Sequence, residues 1–444
     1  MVQFYSPSRR KATQDTITVT PHELDTQGQG VARHNGKTIF ITGALPQEQV
    51  EAVIYENKKN YAKAKTSKIL SLSPYRMTPP CSHYGTCGGC NQQHVASVLQ
   101  HSSKSKAVSQ LFRRETGLDV PQGEVIFSQD YHYRRRARLG LQYQPKQKRL
   151  LMGFRQKASN DLVDIAECPI LVRELEQLLQ PLRQCLNQLS IVRKLGHAEL
   201  VMADNGALLV LRHLAPLSDA DRQALAELAE YHNIAIYLSG NDYVEQLTDG
   251  LLNHEAPCYH VDGLTLGFNP QDFIQVNAAV NQLMIEQALN WLDLQRTDRV
   301  LDLFCGMGNF TLPMAKRAAK VMGVEGVDSL VARGTQNAQI NGLNNVEFLH
   351  HNLEQDVSQQ EWASQGFDKV LLDPARAGAA QAMAQIVTLK PERIVYVSCN
   401  PVTLVEDSKT LLVNGYELSQ LRMLDMFPQT GHIESMALFI KVIV

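Results

Sequence analysis

An α/β fold, a doubly wound parallel sheet of the Rossmann type, is predicted for the C-terminal part of this 444-residue chain by three observations. The apolar run Ile394-Val395-Tyr396-Val397 leads straight into Ser398-Cys399-Asn400-Pro401. The run Val300-Leu301-Asp302-Leu303-Phe304 leads into Gly306-Met307-Gly308 and a helical stretch from Thr311 to Lys320. A third run, Val321-Met322-Gly323-Val324, ends on Glu325. Strands covered on both faces read as continuous β-branched and aromatic runs, and their carboxyl ends open into the ligand crevice of such a sheet.

The elements follow in order. Glycines at 306 and 308 allow a ligand close to the backbone, and Glu325, about twenty residues on, stands where an acid binds a ribose hydroxyl. The third glycine of G-x-G-x-x-G is missing, which argues against a dinucleotide and suits a cofactor such as S-adenosylmethionine. Val346 to Leu349 and Val370 to Leu372 predict further strands, and the polar groups that follow them, Asn352 and Asp373, fall on the same rim. Cys399, at the end of its strand, is a candidate nucleophile. A lone cysteine is more often inert packing, but here the strand, glycine turn and acid upstream outweigh that reading. In Asp373-Pro374-Ala375-Arg376, an arginine stands where amino-group methylases of nucleic acids carry a base-stacking aromatic residue. An RNA cytosine-C5 enzyme would bring a second cysteine near that turn, and none is present.

Asp302-x-Phe304-Cys305-Gly306-x-Gly308-Asn309-Phe310, Asp373-Pro374-x-Arg376, Ser398-Cys399-Asn400-Pro401 and Gly431-His432-Ile433-Glu434-Ser435 together resemble the signatures of RNA uracil-C5 methyltransferases. The resemblance implies that Cys399 is the nucleophile and Glu434 the general base, with His432 a nearby alternative. It implies S-adenosylmethionine contacts from Gln275, Phe304, Asn309, Glu325, Asn352 and Asp373. The residue types suit the chemistry. C5 of uracil is a poor nucleophile until a thiolate adds at C6, and the C5 proton must then be taken by a positioned base.

At 444 residues and 44% hydrophobic composition the chain is long enough for two to four domains with real cores. No apolar run reaches a membrane span, and Met1 to Lys11 is polar and basic, so no membrane association and a cytoplasmic location are expected. The net charge is only −2, yet Tyr131 to Lys157 holds nine Lys/Arg and no acid, including Arg134, Arg135, Arg136 and Arg138. Lys58, Lys59, Lys63, Lys65 and Lys68 form a second cluster. Segregated positive charge is the footprint of phosphate binding. From Asp15 to Leu70, short apolar runs alternate with turns at Gly28, Gly30, Gly36, Gly43 and Pro46, which predicts a small β-barrel. Gln27 to Arg33 and Tyr61 to Ala64 resemble a TRAM domain, an OB-like RNA-binding module.

Cys81-x5-Cys87-x2-Cys90, with Cys168 as a fourth thiolate, points to metal in a cytoplasmic chain, and spacing alone leaves zinc and iron–sulfur open. The family resemblance implies a [4Fe-4S] cluster. It also implies that the combination of cluster and TRAM module marks the branch acting on 23S rRNA. The expected architecture is therefore an α/β Rossmann-like S-adenosylmethionine methyltransferase domain at 271–444, an N-terminal OB-like barrel (TRAM) at 12–70 and a central α+β iron–sulfur domain at 74–270. Residues 93–124 are expected to pack on the catalytic domain, and no obligate protein partner is expected. The alternatives are methylation of another rRNA site or of tRNA, and an iron–sulfur RNA-binding protein without methyltransferase activity. A radical S-adenosylmethionine enzyme is disfavoured because the Cys-x3-Cys-x2-Cys signature is absent.

Overall fold

The computed structural model describes residues 15–120, 122–353, 355 and 360–442. Residues 12–14, 121, 354, 356–359, 443 and 444 of the three expected domains lie outside the described residues, as does Met1 to Lys11.

Seven strands carry the C-terminal part: β1 (Arg299–Leu303), β2 (Lys320–Glu325), β3 (Val346–His350), β4 (Lys369–Leu372), β5 (Arg393–Ser398), β6 (Tyr416–Leu424) and β7 (Glu434–Lys441). They lie in the order β3-β2-β1-β4-β5-β7-β6, parallel except at β7, which is antiparallel to both neighbours. The order reverses at β1 and β4, so the crevice opens outside their carboxyl ends. Because β7 runs the opposite way, its amino end comes to that same rim.

Side chains alternate along each strand between two apolar layers. Val300, Val321 and Val395 face α2 (Ala278–Leu292), α3 (Thr311–Ala315) and α4 (Asp328–Ile340). Leu301, Met322 and Ile394 face α1 (Ser97–Thr116), α5 (Ala380–Leu389) and α6 (Pro401–Val413). Helix α1 is far upstream in sequence, yet Val108 and Phe112 are buried in this layer. Its Lys104 is fully buried and meets Asp425, itself 1% exposed, at 2.7 Å, while His101 approaches the same carboxylate at 2.9 Å. Burial alone would raise the Asp425 pKa, but the hydrogen bond from His101 and the Lys104 ammonium hold it below its ordinary value. Removing one partner of such a pair costs about 3–5 kcal/mol, so α1 is anchored where it lies.

The central domain is a second seven-stranded sheet between Arg136 and Thr248, with helices Leu179–Gln188 and Asp219–His232 packed in its apolar core. The expectation of an iron–sulfur domain is corrected here. Among the described residues no three or more Cys, His, Asp or Glu side chains form a group that could hold a metal ion. What organises the domain is apolar burial, with Cys168 packed among Ile170, Leu171 and Leu175 and Cys90 at the edge of the same cluster.

The basic run also differs from expectation. Arg135 is buried; its backbone N–H donates to Val276 O and its Nε to Gln275 O, both at 2.9 Å. Arg136 donates to Glu199 Oε1 at 2.8 Å and Arg138 to Glu199 Oε2 at 3.2 Å. Arg135 and Arg136 join the central sheet to the segment that enters the catalytic domain, through Gln275 O and Pro270 O, whereas Arg138 pairs with its cross-strand neighbour Glu199 and keeps its side chain 63% exposed. The N-terminal sheet has six strands between Thr16 and Ser71, coiled around Ile17, Ile39, Ile41, Val50 and Ala64, with Lys58, Lys59, Lys65 and Lys68 exposed. No helix among the described residues is long and apolar enough to cross a membrane.

Candidate active site

The glycine turn after β1 is a forced shape. Phe304, Gly306 and Gly308 take φ values of 62°, 55° and 104°, and the N–H groups of Phe304 and Cys305 both reach back to Val324 O. A β-carbon on Gly306 would meet nothing within 4 Å, because that side of the turn faces open space. Glu325, closing β2, accepts from Gly306 N at 3.0 Å and from Val327 N at 2.9 Å. Asn309 is held by Tyr259 and Asn281, its Oδ1 accepting at 3.2 and 3.1 Å.

Cys399 sits between strand and helix because the residues after it start α6. Asn400 caps the helix, its side chain accepting from Val402 N at 3.1 Å, and Pro401 occupies the first turn, where no N–H is needed. Opposite it, β5 pairs with β7 in the register Ser398↔Ser435, so Cys399 follows the last paired residue of one strand while Glu434 precedes its counterpart on the other.

All these groups line one cavity of about 540 Å³: Gln275, Phe304, Asn309, Glu325, Asp373, Cys399 and Glu434, with Arg376, Phe427 and His432 at its wall. Asn352 is not in this lining; it is exposed, its Cα 3.9 Å from where a β-carbon on Gly326 would lie. The cavity is rich in acid. Burial pushes the Glu434 pKa up to about 8, Asp373 adds to the rise and Arg376 opposes it. Burial likewise lifts Asp373 to about 7 and Asp302, beneath the turn, to about 8. Asp302 Oδ2 accepts from Thr311 Oγ1 at 2.6 Å, while its buried Oδ1 has no partner. The carboxyls of Glu325, Asp373 and Glu434 on one cavity wall fit a cationic cofactor, and the sulfonium and ammonium of S-adenosylmethionine are of that kind. Burial raises the Cys399 thiol as well, followed by the Glu434 and Asp373 charges, with Arg376 opposing.

Cys81, Cys87, Cys90 and Cys168 line a second cavity of about 350 Å³. The thiols of Cys81 and Cys87 help to raise the pKa of Cys90, although burial is the larger cause. This cavity shares Arg376, Phe427 and His432 with the first, so the two meet at one wall. Arg134 Cζ lies 6.0 Å from the Phe427 ring centroid, and the His432 ring lies 5.3 Å from it on centroids.

The sequence points to Arg376 and His432 here, but not to Tyr259 or Phe427 in the lining, nor to Asp302 and Asn281, which support it from behind. Asp302 opens the motif that carries the glycine turn, a signal that was available. The other three lie outside any motif and reach the site only through tertiary packing.

The profile of the family described as tRNA (Uracil-5-)-methyltransferase matches residues 97–442, and that of the TRAM domain matches residues 11–66. The chain is 58% identical to the 23S rRNA (uracil(1939)-C(5))-methyltransferase RlmD of Pectobacterium atrosepticum, over 99% of this chain and 98% of that one. It is 59% identical to the protein of the same name from Photorhabdus laumondii, over 99% and 100%. Among solved structures, the Pyrococcus abyssi tRNA (uracil-54, C5)-methyltransferase in complex with S-adenosyl-L-homocysteine has a TM-score of 0.72 at 23% identity, covering 96% of this chain and 100% of that one. This last likeness is one of fold.

The raised carboxyls make a prediction about stability. An acid whose pKa is higher folded than unfolded holds its proton longer in the folded state, so stability falls as pH rises from the ordinary carboxyl range toward the folded pKa, here about 8 for Glu434. Glu434→Gln removes that penalty. Its melting temperature should exceed that of the unsubstituted protein by a margin that widens from pH 6.5 to pH 8, read by thermal denaturation without ligand. A margin that stays constant over this range would show that Glu434 does not titrate there.

Proposed function

The chain belongs to the RNA uracil-C5 methyltransferase family, and from that premise we infer that it methylates C5 of a uridine in 23S rRNA, the uracil 1939 named for its relatives, using S-adenosylmethionine. The observation that carries this reading is the meeting of a thiol and a buried carboxyl on one acid-lined cavity at the sheet's switch point. Its TRAM domain and family place it among RNA-binding enzymes. A cytoplasmic location fits such a substrate and is part of the proposal.

The residue roles follow from chemistry. Cys399, as thiolate, adds to C6 of the uracil, forming an S–C6 bond and pushing electrons through C5 to the O4 oxygen as an enolate. The bound cofactor supplies an electrophilic methyl group, which C5 takes. Glu434, as carboxylate, accepts the C5 proton; the C5–H electrons re-form the C5=C6 bond and the S–C6 bond breaks, returning the thiolate. A carboxyl raised to about 8 is poised near neutrality, where a base is both ionised often enough and strong enough. Asp373 and Arg376 set the charge around both groups. Gln275, Phe304, Asn309, Glu325 and Asp373 are proposed to hold the cofactor, with Asn352 at the edge of its site. Arg376, Phe427 and His432 give the outer wall of the cavity a mixed aromatic and cationic face, suited to a base drawn out of its stack.

The four cysteines form a separate proposal, a thiolate-bound metal. Their thiols share a cavity without closing on one point, so side-chain rotation would have to bring them together. Elemental analysis of anaerobically purified protein should find a thiophilic metal that is lost in Cys90→Ser and Cys168→Ser variants. Metal-free protein with full activity would reject the assignment.

The catalytic roles separate by variant. Cys399→Ala should abolish methylation and every covalent RNA adduct while leaving cofactor binding intact. Glu434→Gln should slow turnover by about 10²–10⁴-fold, the usual contribution of a general base, and leave methylated RNA tethered to Cys399 as a denaturation-resistant band. Methylation by Cys399→Ala, or unimpaired turnover by Glu434→Gln, would refute the mechanism.

A further inference from the structure

Glu434 is the first residue of β7, and the nine residues before it, 425–433, form a loop held largely from outside the catalytic domain. At its start, Asp425 is locked by Lys104 and His101 of α1. At its middle stands Gln429, with φ at 68°, a left-handed conformation that a non-glycine residue keeps only where its surroundings fix it. They do. Gln429 N donates to Gln100 Oε1 and Gln429 Oε1 accepts from Gln100 Nε2, both at 3.1 Å, while Gln429 O accepts from the N–H groups of Asn91 and Gln92 at 3.0 Å.

The chain of contacts continues into the N-terminal barrel. Asn91 Nδ2 donates to Gln27 O at 3.0 Å and Gln92 Nε2 to Thr26 O at 2.9 Å. The barrel turn is itself preset, because Asp25 Oδ1 accepts from Gln27 N at 2.9 Å and from Gln29 N at 2.7 Å, and Gly28 takes a φ of 75°. This turn lies directly on the loop. A β-carbon on Gly431 would stand 2.3 Å from Thr26 O, closer than any side chain can be accommodated, and that oxygen is backbone. Gly431 is therefore glycine for close approach, three residues before the proposed base.

We propose that the barrel turn Thr26–Gly28, seated on Gly431, is a positioning element for the reaction: it fixes the loop that delivers Glu434, so that RNA held by the barrel and the base that finishes the reaction are registered to one another. This rests on the reading of Glu434 as the base. No group of the turn touches the reacting atoms, so its residues act only through the loop.

The test is Gly431→Ala in the full-length protein, with Glu434→Gln alongside. The added methyl must lift the turn from the loop. Turnover on RNA should fall at least tenfold and the denaturation-resistant methylated RNA adduct should accumulate, because proton removal is slowed more than the steps before it. Affinity for S-adenosylhomocysteine should be unchanged. A merely structural role would lower activity without trapping the adduct. Wild-type turnover, or reduced turnover with no adduct while Glu434→Gln does trap one, would overturn the proposal. If neither variant traps an adduct, the base assignment itself fails and the proposal falls with it. Should Gly431→Ala not fold, Gln92→Leu, which cuts the bond to Thr26 at similar volume, decides by the same readout.

Discussion

The antiparallel register of β5 and β7 is the constraint on which the site depends. With Ser398 opposite Ser435, the thiol of Cys399 and the carboxyl of Glu434 fall together at one rim although 35 residues separate them in the chain. Side chains alternate along a strand, so a slip of one residue would turn Glu434 to the other face and remove it from the cavity. The register is well defended. Both faces of β5 are buried, and Tyr396 in its middle donates to Asp407 of α6 at 2.6 Å, tying the strand to the helix that Asn400 and Pro401 begin.

The same placement has an electrostatic cost. Glu434, Asp373 and Asp302 all have pKa values raised by burial, and Arg376 acts on the first of them from the other sign. A cavity of this kind is costly when empty and favourable to a cation, which links folding economy to cofactor choice. Stability that the site gives up is supplied elsewhere, by two continuous apolar layers, while the buried pair of Lys104 with Asp425 fixes where α1 lies. That pair also joins α1 to the loop leading into β7, so the fold's anchor and the base's support are the same contact.

How much of this could be read from sequence depended on the range of the interaction. The strand runs ending at Phe304, Glu325, Asp373 and Cys399 were legible because buried strands and their terminal polar groups are local patterns. The β-strands of the N-terminal domain were legible for the same reason. The arginine run at 134–138 was legible only in part: sequence shows charge but not its partner, and Glu199, which takes up Arg136, lies 63 residues from it in sequence, while Arg138 stays exposed. Lys104 gave no sign of meeting Asp425, 321 residues on. The cysteine spacing pointed to a metal-built domain, whereas the central domain is organised by an apolar core, and the thiols share a cavity at its edge.

The central claim is that Cys399 adds to the uracil ring and that a proton must leave C5 before it is released. RNA carrying 5-fluorouridine at the target position tests it most directly, because fluorine cannot depart as a cation and the adduct cannot resolve. Incubation with enzyme and S-adenosylmethionine, digestion and mass spectrometry should place a 5-methyl-5-fluoro-5,6-dihydrouridine on the peptide containing Cys399, and on no other. An adduct on a different residue, or complete release of the RNA, would contradict the account.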